Sequence, residues 1–138
     1  LSTLQINILR GFTILFLNKM NKIECIFCKI ARKEAKADIV GESSNFIAIK
    51  DLQPAAKGHT LIIPKEHYAT LLNIPSKISE EMLEMVKKVA SELIDKKLGS
   101  GFNLVMNNLA SAGQVVMHAH IHVIPRKEGD GLRFLTKI

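Results

Sequence analysis

Three of the five histidines in this chain recur at alternate positions of one short stretch, as His118, His120 and His122 within residues 117–126. Side chains alternate across an extended strand, so these three share a face while Ala119, Ile121 and Val123 occupy the other. An imidazole can serve as nucleophile, proton carrier or metal ligand near neutral pH. Each one also requires a hydrogen-bond partner or a ligand once it is buried. Same-face neighbours lie roughly 6.5–7 Å apart on a pleated strand, so the middle ring, His120, can act on a substrate while the outer two hold something else. A single histidine in a strand is ordinary core material. Three in register opposite an apolar face mark a metal or catalytic site.

The second cluster of chemistry-bearing residues is Cys25-x-x-Cys28, which contains both cysteines of the chain. Two thiolates at that spacing form half of a tetrahedral zinc site and need two further ligands from elsewhere. A redox pair is the weaker alternative, because no β-α-β pattern surrounds it. Two free thiols packed under a sheet are the third possibility. Two cysteines provide no disulfide framework, so a reducing, cytoplasmic setting is the expectation.

The elements that must position these groups follow from periodicity. Ile26, Phe27 and Ile30 on one side and Lys29, Arg32 and Lys33 on the other suit a short helix over residues 26–34. Strands are predicted at residues 39–40, 45–49 and 59–64, the first two joined by a Gly41-Glu42-Ser43-Ser44 turn. Ile78, Met82, Met85, Val86, Val89, Leu93 and Ile94 recur at helical spacing, which predicts a helix over residues 76–98 stopping before Gly99. Its methionines read as core filler. Residues 102–107 and 115–124 are two more strands, joined by the small and polar link 108–114. Five strands with short links predict an α+β fold, an antiparallel five-stranded sheet with one long and one short helix on one side.

Composition limits the function classes. The 138 residues suffice for one domain with its own core. The net charge is +6, but Arg10 and Lys19 lie in residues 1–19, which contain no acid; the remainder has 17 basic and 13 acidic side chains. That modest excess suits an anionic small molecule. Nucleic-acid binding would require a basic stripe with stacking aromatics, whereas this chain has no Trp, one Tyr, and lysine pairs at 87–88 and 96–97 that belong to a solvated helix face. The apolar run at residues 11–17 is too short to span a bilayer. Met20-Asn21-Lys22 reads as a natural start, so residues 1–19 are expected to be an upstream extension or an artefact, and residues 20–138 a single domain.

Several separated motifs then combine. Ile26-Phe27-Cys28-Lys29-Ile30, Asp51-x-x-Pro54, Gly58-His59, Ile63-Pro64-Lys65-x-His67, Asn107, and Ala112-Gly113-Gln114-x-Val116-x-His118-x-His120-x-His122 together resemble the histidine-triad (HIT) superfamily. The likeness is to its Hint-like branch of nucleotide hydrolases and transferases, in the bacterial-type form with a CxxC zinc site, and runs from Cys25 to Arg126. It implies a HIT-like fold and a homodimer acting on purine nucleotides. It implies that His120 attacks the α-phosphorus of a nucleoside phosphoramidate or dinucleoside polyphosphate and forms a covalent nucleotidyl-histidine, with His122, Gln114 and Asn107 as phosphate-side partners. It further implies that Asp51 accepts the ribose hydroxyls and that Phe27, Ile30, Ile49, Leu52, Val116 and His59 belong to the nucleotide pocket. For Phe27 and Ile30 ordinary core packing fits the spacing equally well, and Asp51 also suits a turn. The same resemblance completes a structural zinc site, Cys25, Cys28, His67 and His118, with no catalytic metal. The chain departs from the family where Asn-x-Gly is usual and Asn107-Asn108-Leu109 stands, and its tail offers only Phe134 as an aromatic.

Two other readings fit the same residues. One is a zinc hydrolase whose metal is held by the triad itself, disfavoured because no acid lies between Met117 and Arg126. The other is a purine-nucleotide-binding module with little turnover.

Overall fold

A computed structural model describes residues 24–133. Residues 1–19, the proposed start at Met20 and the aromatic Phe134 lie outside the described residues. The helices are α1 (Ile26–Ala31) and α2 (Ser79–Asp95), and the strands are β1 (Ile39–Glu42), β2 (Phe46–Lys50), β3 (Thr60–Pro64), β4 (Gly101–Val105) and β5 (Ile121–Arg126). The strands form one antiparallel sheet in the order β1-β2-β3-β5-β4. The α+β class, the five-stranded antiparallel sheet and the two helices agree with the sequence reading.

The placement of the helices does not. β2 and β3 are apolar at nearly every position, which requires both sheet faces to be covered. Phe46, Ala48 and Ile62 pack with Val123 against Met85, Val86, Val89, Ala90 and Leu93 of α2. The alternate residues Ile47, Ile49, Leu61 and Ile63 pack against Phe27 and Ile30 of α1. The two helices therefore lie on opposite faces, and alternation along β2 and β3 assigns each its cover. Met85 is buried and Met82 partly so, in keeping with a packing role.

Both helices end in the same device. At the end of α1, Lys33 N–H donates to Ile30 O at 3.0 Å and Glu34 N–H to Lys29 O at 2.8 Å, with Lys33 at φ 63°. At the end of α2, Lys97 N–H donates to Ile94 O at 2.9 Å and Leu98 N–H to Leu93 O at 3.0 Å, with Lys97 at φ 57°. These are Schellman closures, normally built on glycine. Lysine takes the left-handed position in both, so α2 stops short of Gly99.

The last strand starts later than its hydropathy suggests. β5 begins at Ile121, and residues 115–120 form an irregular lead-in that contains His118 and His120. Other partners take the bonds a ladder would have used. Ala119 N–H donates to Tyr68 O at 2.6 Å, and the ring of His118 takes the carbonyl of Pro64 at 2.8 Å. Pairing of β3 with β5 accordingly covers only Thr60–Val123, Leu61–His122 and Ile62–Ile121. Face alternation survives the irregularity: Ile121 and Val123 belong with α2, while His120 stacks its ring edge-on to Phe27 of α1 at 5.1 Å.

Candidate active site

The CxxC pair straddles the start of α1, with Cys25 as the cap and Cys28 in the first turn. Cys25 Sγ lies 3.4 Å and Cys28 Sγ 3.5 Å from Nδ1 of His118, and Cys28 Sγ lies 3.3 Å from Nδ1 of His67. All four donor atoms fall within 4.8 Å of one another. A tetrahedral ion with metal–sulfur bonds of about 2.3 Å and metal–nitrogen bonds of about 2.0–2.1 Å spans S···N edges of about 3.5 Å, so the cluster has the dimensions of a metal site. His118 is fully buried, and its Nε2–H donates to Pro64 O at 2.8 Å. That bond turns the Nδ1 lone pair toward the sulfurs, the outer-sphere arrangement expected of a histidine ligand. Burial pushes the His118 pKa down to about 4 against the pull of the Pro64 carbonyl, which keeps the ring neutral.

The neighbouring ring has the opposite tautomer. His120 Nδ1 lies 2.7 Å from the carbonyl of His118, and a carbonyl can only accept, so the proton is on Nδ1. Its Nε2 is then a bare lone pair with no hydrogen-bond partner among the described residues. Among the described residues every fully buried side-chain nitrogen and oxygen has a partner, so this Nε2 reaches solvent-accessible space. Phe27 packs edge-on against both rings, at 5.7 Å from His118 and 5.1 Å from His120. The four-residue cluster and the free nitrogen are thus separated by a single intervening residue, Ala119, and joined through one carbonyl.

A third group of polar residues lies beside His122. Ala55 N–H donates to His59 Nδ1 at 3.0 Å, which fixes the His59 proton on Nε2. That Nε2–H faces His122 Nδ1 at 2.9 Å and Asp51 Oδ2 at 3.4 Å. His122 therefore accepts at Nδ1 and carries its own proton on Nε2, next to His120 with ring centroids 4.9 Å apart. Burial lowers the His59 pKa against Asp51 and pushes His122 down to about 4, aided by repulsion from His120 and His59. Asp51 is the residue that sequence proximity missed. It lies 3.9 Å from His122 Nδ1 although no acid occurs near the triad in the chain, because Asp51 N–H bonds His59 O at 3.0 Å and β3 pairs with β5. Its other oxygen, Oδ1, accepts from Gln53 N–H at 2.9 Å, so the turn reading of Asp51 also holds.

Asn107 and Gln114 bound the loop before the triad. Asn107 Nδ2 approaches Gly113 O at 3.5 Å. Gln114 is buried, and its carboxamide is fully occupied by backbone: Oε1 accepts from Leu109 N–H at 2.7 Å, and Nε2 donates to Ala69 O at 2.6 Å and Val116 O at 3.0 Å. The Leu109 donor fixes which end of the amide is oxygen. Phe27, Ile30 and Ile49 are buried in one apolar cluster with Val116 packed against it. Leu52 is 88% exposed and takes no part in that cluster.

A family model described as HIT domain matches residues 32–129. The chain belongs to the HIT domain family. It is 42% identical over 113 residues to an adenosine 5′-monophosphoramidase of Candida albicans, covering 78% of this chain and 74% of that one. It is 42% identical over 109 residues to an adenylylsulfatase of Arabidopsis thaliana, covering 79% of this chain and 55% of that longer protein. Among solved structures it resembles a Zn-bound histidine triad family protein from Mycobacterium smegmatis, with a TM-score of 0.76, 35% identity and 82% of each chain covered. The HIT domain match begins after the CxxC pair, so α1 and the two cysteines of the cluster lie outside the matched stretch.

Proposed function

We propose that this HIT domain protein is a nucleotide hydrolase or transferase that acts at the α-phosphate through a covalent nucleotidyl-histidine on His120. The observation that carries this reading is the bare Nε2 of His120, held outward by the Nδ1–H bond to the His118 carbonyl at 2.7 Å. A neutral imidazole with an accessible lone pair is a competent nucleophile at pH 7. Its Nε2 forms a bond to phosphorus as the bond from phosphorus to the leaving group breaks. Water then attacks the phosphorus, the P–N bond breaks, and nucleoside monophosphate leaves with His120 regenerated. Splitting one displacement into two lowers each barrier. His122 offers an Nε2–H as a neutral donor to the phosphoryl oxygens, and Asn107 supports the same charge. Asp51, whose side chain is 18% exposed, accepts the ribose hydroxyls, and Phe27, Ile30, Ile49 and Val116 form the apolar side of a purine pocket.

Zinc is the metal whose coordination suits Cys25, Cys28, His67 and His118. When bound, it supplies structural cross-linking, tying the start of α1 to the lead-in of the catalytic strand. The thiolate ligands suit the reducing cytoplasm. Metal binding by Asp51, His59 and His122, which also converge, is disfavoured because the Ala55 bond leaves the proton on the one His59 nitrogen that would have to ligate. The protein functions as a homodimer across β4, the terminal strand of the sheet, whose outer edge has no partner among the described residues and where Phe102 and Leu104 stand 44% and 50% exposed.

The test is turnover of adenosine 5′-phosphoramidate by wild type and His120→Ala. The variant retains monophosphate binding by calorimetry and loses turnover by on the order of 10³-fold or more. Full turnover by the variant contradicts the proposal.

A further inference from the structure

Leu109 has φ 73° and ψ 162°, a region that glycine alone enters without cost, and its side chain is 56% exposed, so packing does not hold it there. What holds it is polar. Its N–H is taken by Gln114 Oε1 at 2.7 Å, and its carbonyl accepts from Ala112 N–H and Gln114 N–H, each at 3.1 Å. The next turn is closed by Gly113 at φ 86°. The Gln114 carboxamide extends the same tie outward, to Ala69 O at 2.6 Å and Val116 O at 3.0 Å. Ala69 follows Tyr68, whose carbonyl holds Ala119 N–H at 2.6 Å between His118 and His120. One buried side chain thus registers the loop 107–113, the segment that carries His67, and the lead-in that carries the triad.

We propose that Gln114 is a positioning residue, and that its bond to Leu109 holds the 107–113 loop in the conformation that presents Asn107 to the phosphate. Both Nε2 hydrogens are already spent on carbonyls, so Gln114 has no N–H to give a substrate without breaking the tie. This corrects the expectation that it donates to the phosphate directly. A direct donor would leave Leu109 with no reason to be strained. A strut explains both features: the carboxamide holds in place a backbone geometry that leucine resists. The inference rests on the nucleotidyl-transfer reading for what the loop faces, but not for the coupling between Gln114 and Leu109.

The two residues make a rescue experiment. Gln114→Ala is expected to lower kcat for adenosine 5′-phosphoramidate by about 10²-fold, as displacement of positioning groups does. Leu109→Gly is expected to stay within about 2-fold of wild type. In the double variant, glycine adopts the positive φ without help, so activity recovers at least about 10-fold over Gln114→Ala, the loss by displacement being reversed. A double variant no more active than Gln114→Ala overturns the proposal, since glycine at 109 cannot replace a donor to phosphate. Thermal denaturation reads the coupling independently of catalysis. Leu109→Gly is expected to raise the melting midpoint more in wild type than in Gln114→Ala, where the loop has already relaxed; equal gains overturn the coupling. If Gln114→Ala does not fold, Gln114→Met keeps the side-chain volume and carries both comparisons. A wild type that releases no monophosphate would remove the nucleotidyl-transfer reading while the thermal comparison still decides the strut.

Discussion

Four histidines of the site owe their proton positions to groups that cannot change role. Carbonyls of Pro64 and His118 can only accept, and the amide of Ala55 can only donate. From these three fixed points follow a ligand-ready Nδ1 on His118, a bare Nε2 on His120, and protons on Nε2 of both His59 and His122. Three histidines with the same period in sequence thus acquire three different chemistries. The cost of burying His122 as a neutral ring has a pH signature. His122, with a side chain 19% exposed, is pushed down to about 4, whereas in the unfolded chain it titrates near its usual value of about 6.5. Between those limits the unfolded chain takes up a proton that the folded one refuses, so stability is complete above about pH 6.5 and falls as pH drops toward 4. The expected loss is about 3 kcal/mol from this residue. Urea denaturation at pH 7 and pH 4 measures it, and His122→Gln is expected to flatten the pH slope relative to wild type.

At the scale of elements, each helix ends on a lysine forced into the left-handed region, Lys33 at φ 63° and Lys97 at φ 57°. That conformation costs a side-chain-bearing residue roughly 1–2 kcal/mol, more than the roughly 0.5–1 kcal/mol of extra chain entropy that glycine loses on folding. Lys33→Gly and Lys97→Gly are therefore each expected to stabilise by up to about 1 kcal/mol, read as a rise in the melting midpoint. The Cys25, Cys28, His67 and His118 cluster acts at the same scale, because its contacts join α1 to the residues just before β5. Cys28→Ser is expected to reduce bound zinc, measured by elemental analysis, and to lower stability by about 3 kcal/mol or more. Much of this was legible in sequence. The Cys pair, His67 and His118 converge as the resemblance implied, and the hydrophobic period located α2. What periodicity could not show was anything decided by a carbonyl. The lead-in at residues 115–120 has the hydropathy of a strand and is withheld from the ladder by Tyr68 O and the His118 ring. Nor could sequence proximity show Asp51 beside His122, since that contact is made by strand pairing.

For the whole molecule, the arrangement places the two helices on opposite sheet faces and leaves β4 as a terminal strand, with Phe102 and Leu104 half-exposed on the face that carries α2. Among the described residues no helix is long and apolar enough to cross a membrane. A dimer through that edge predicts twice the chain mass by light scattering, and Leu104→Arg is expected to give monomers without loss of the fold. Nucleotidyl transfer through His120 is tested most directly by intact-protein mass spectrometry after a rapid acid-free quench with adenosine 5′-phosphoramidate, on wild type and on His122→Ala to slow the second step. The expected result is one added nucleoside monophosphate that maps to His120. Monophosphate product appearing with no adduct on His120 in either protein would contradict the account and indicate direct attack by water.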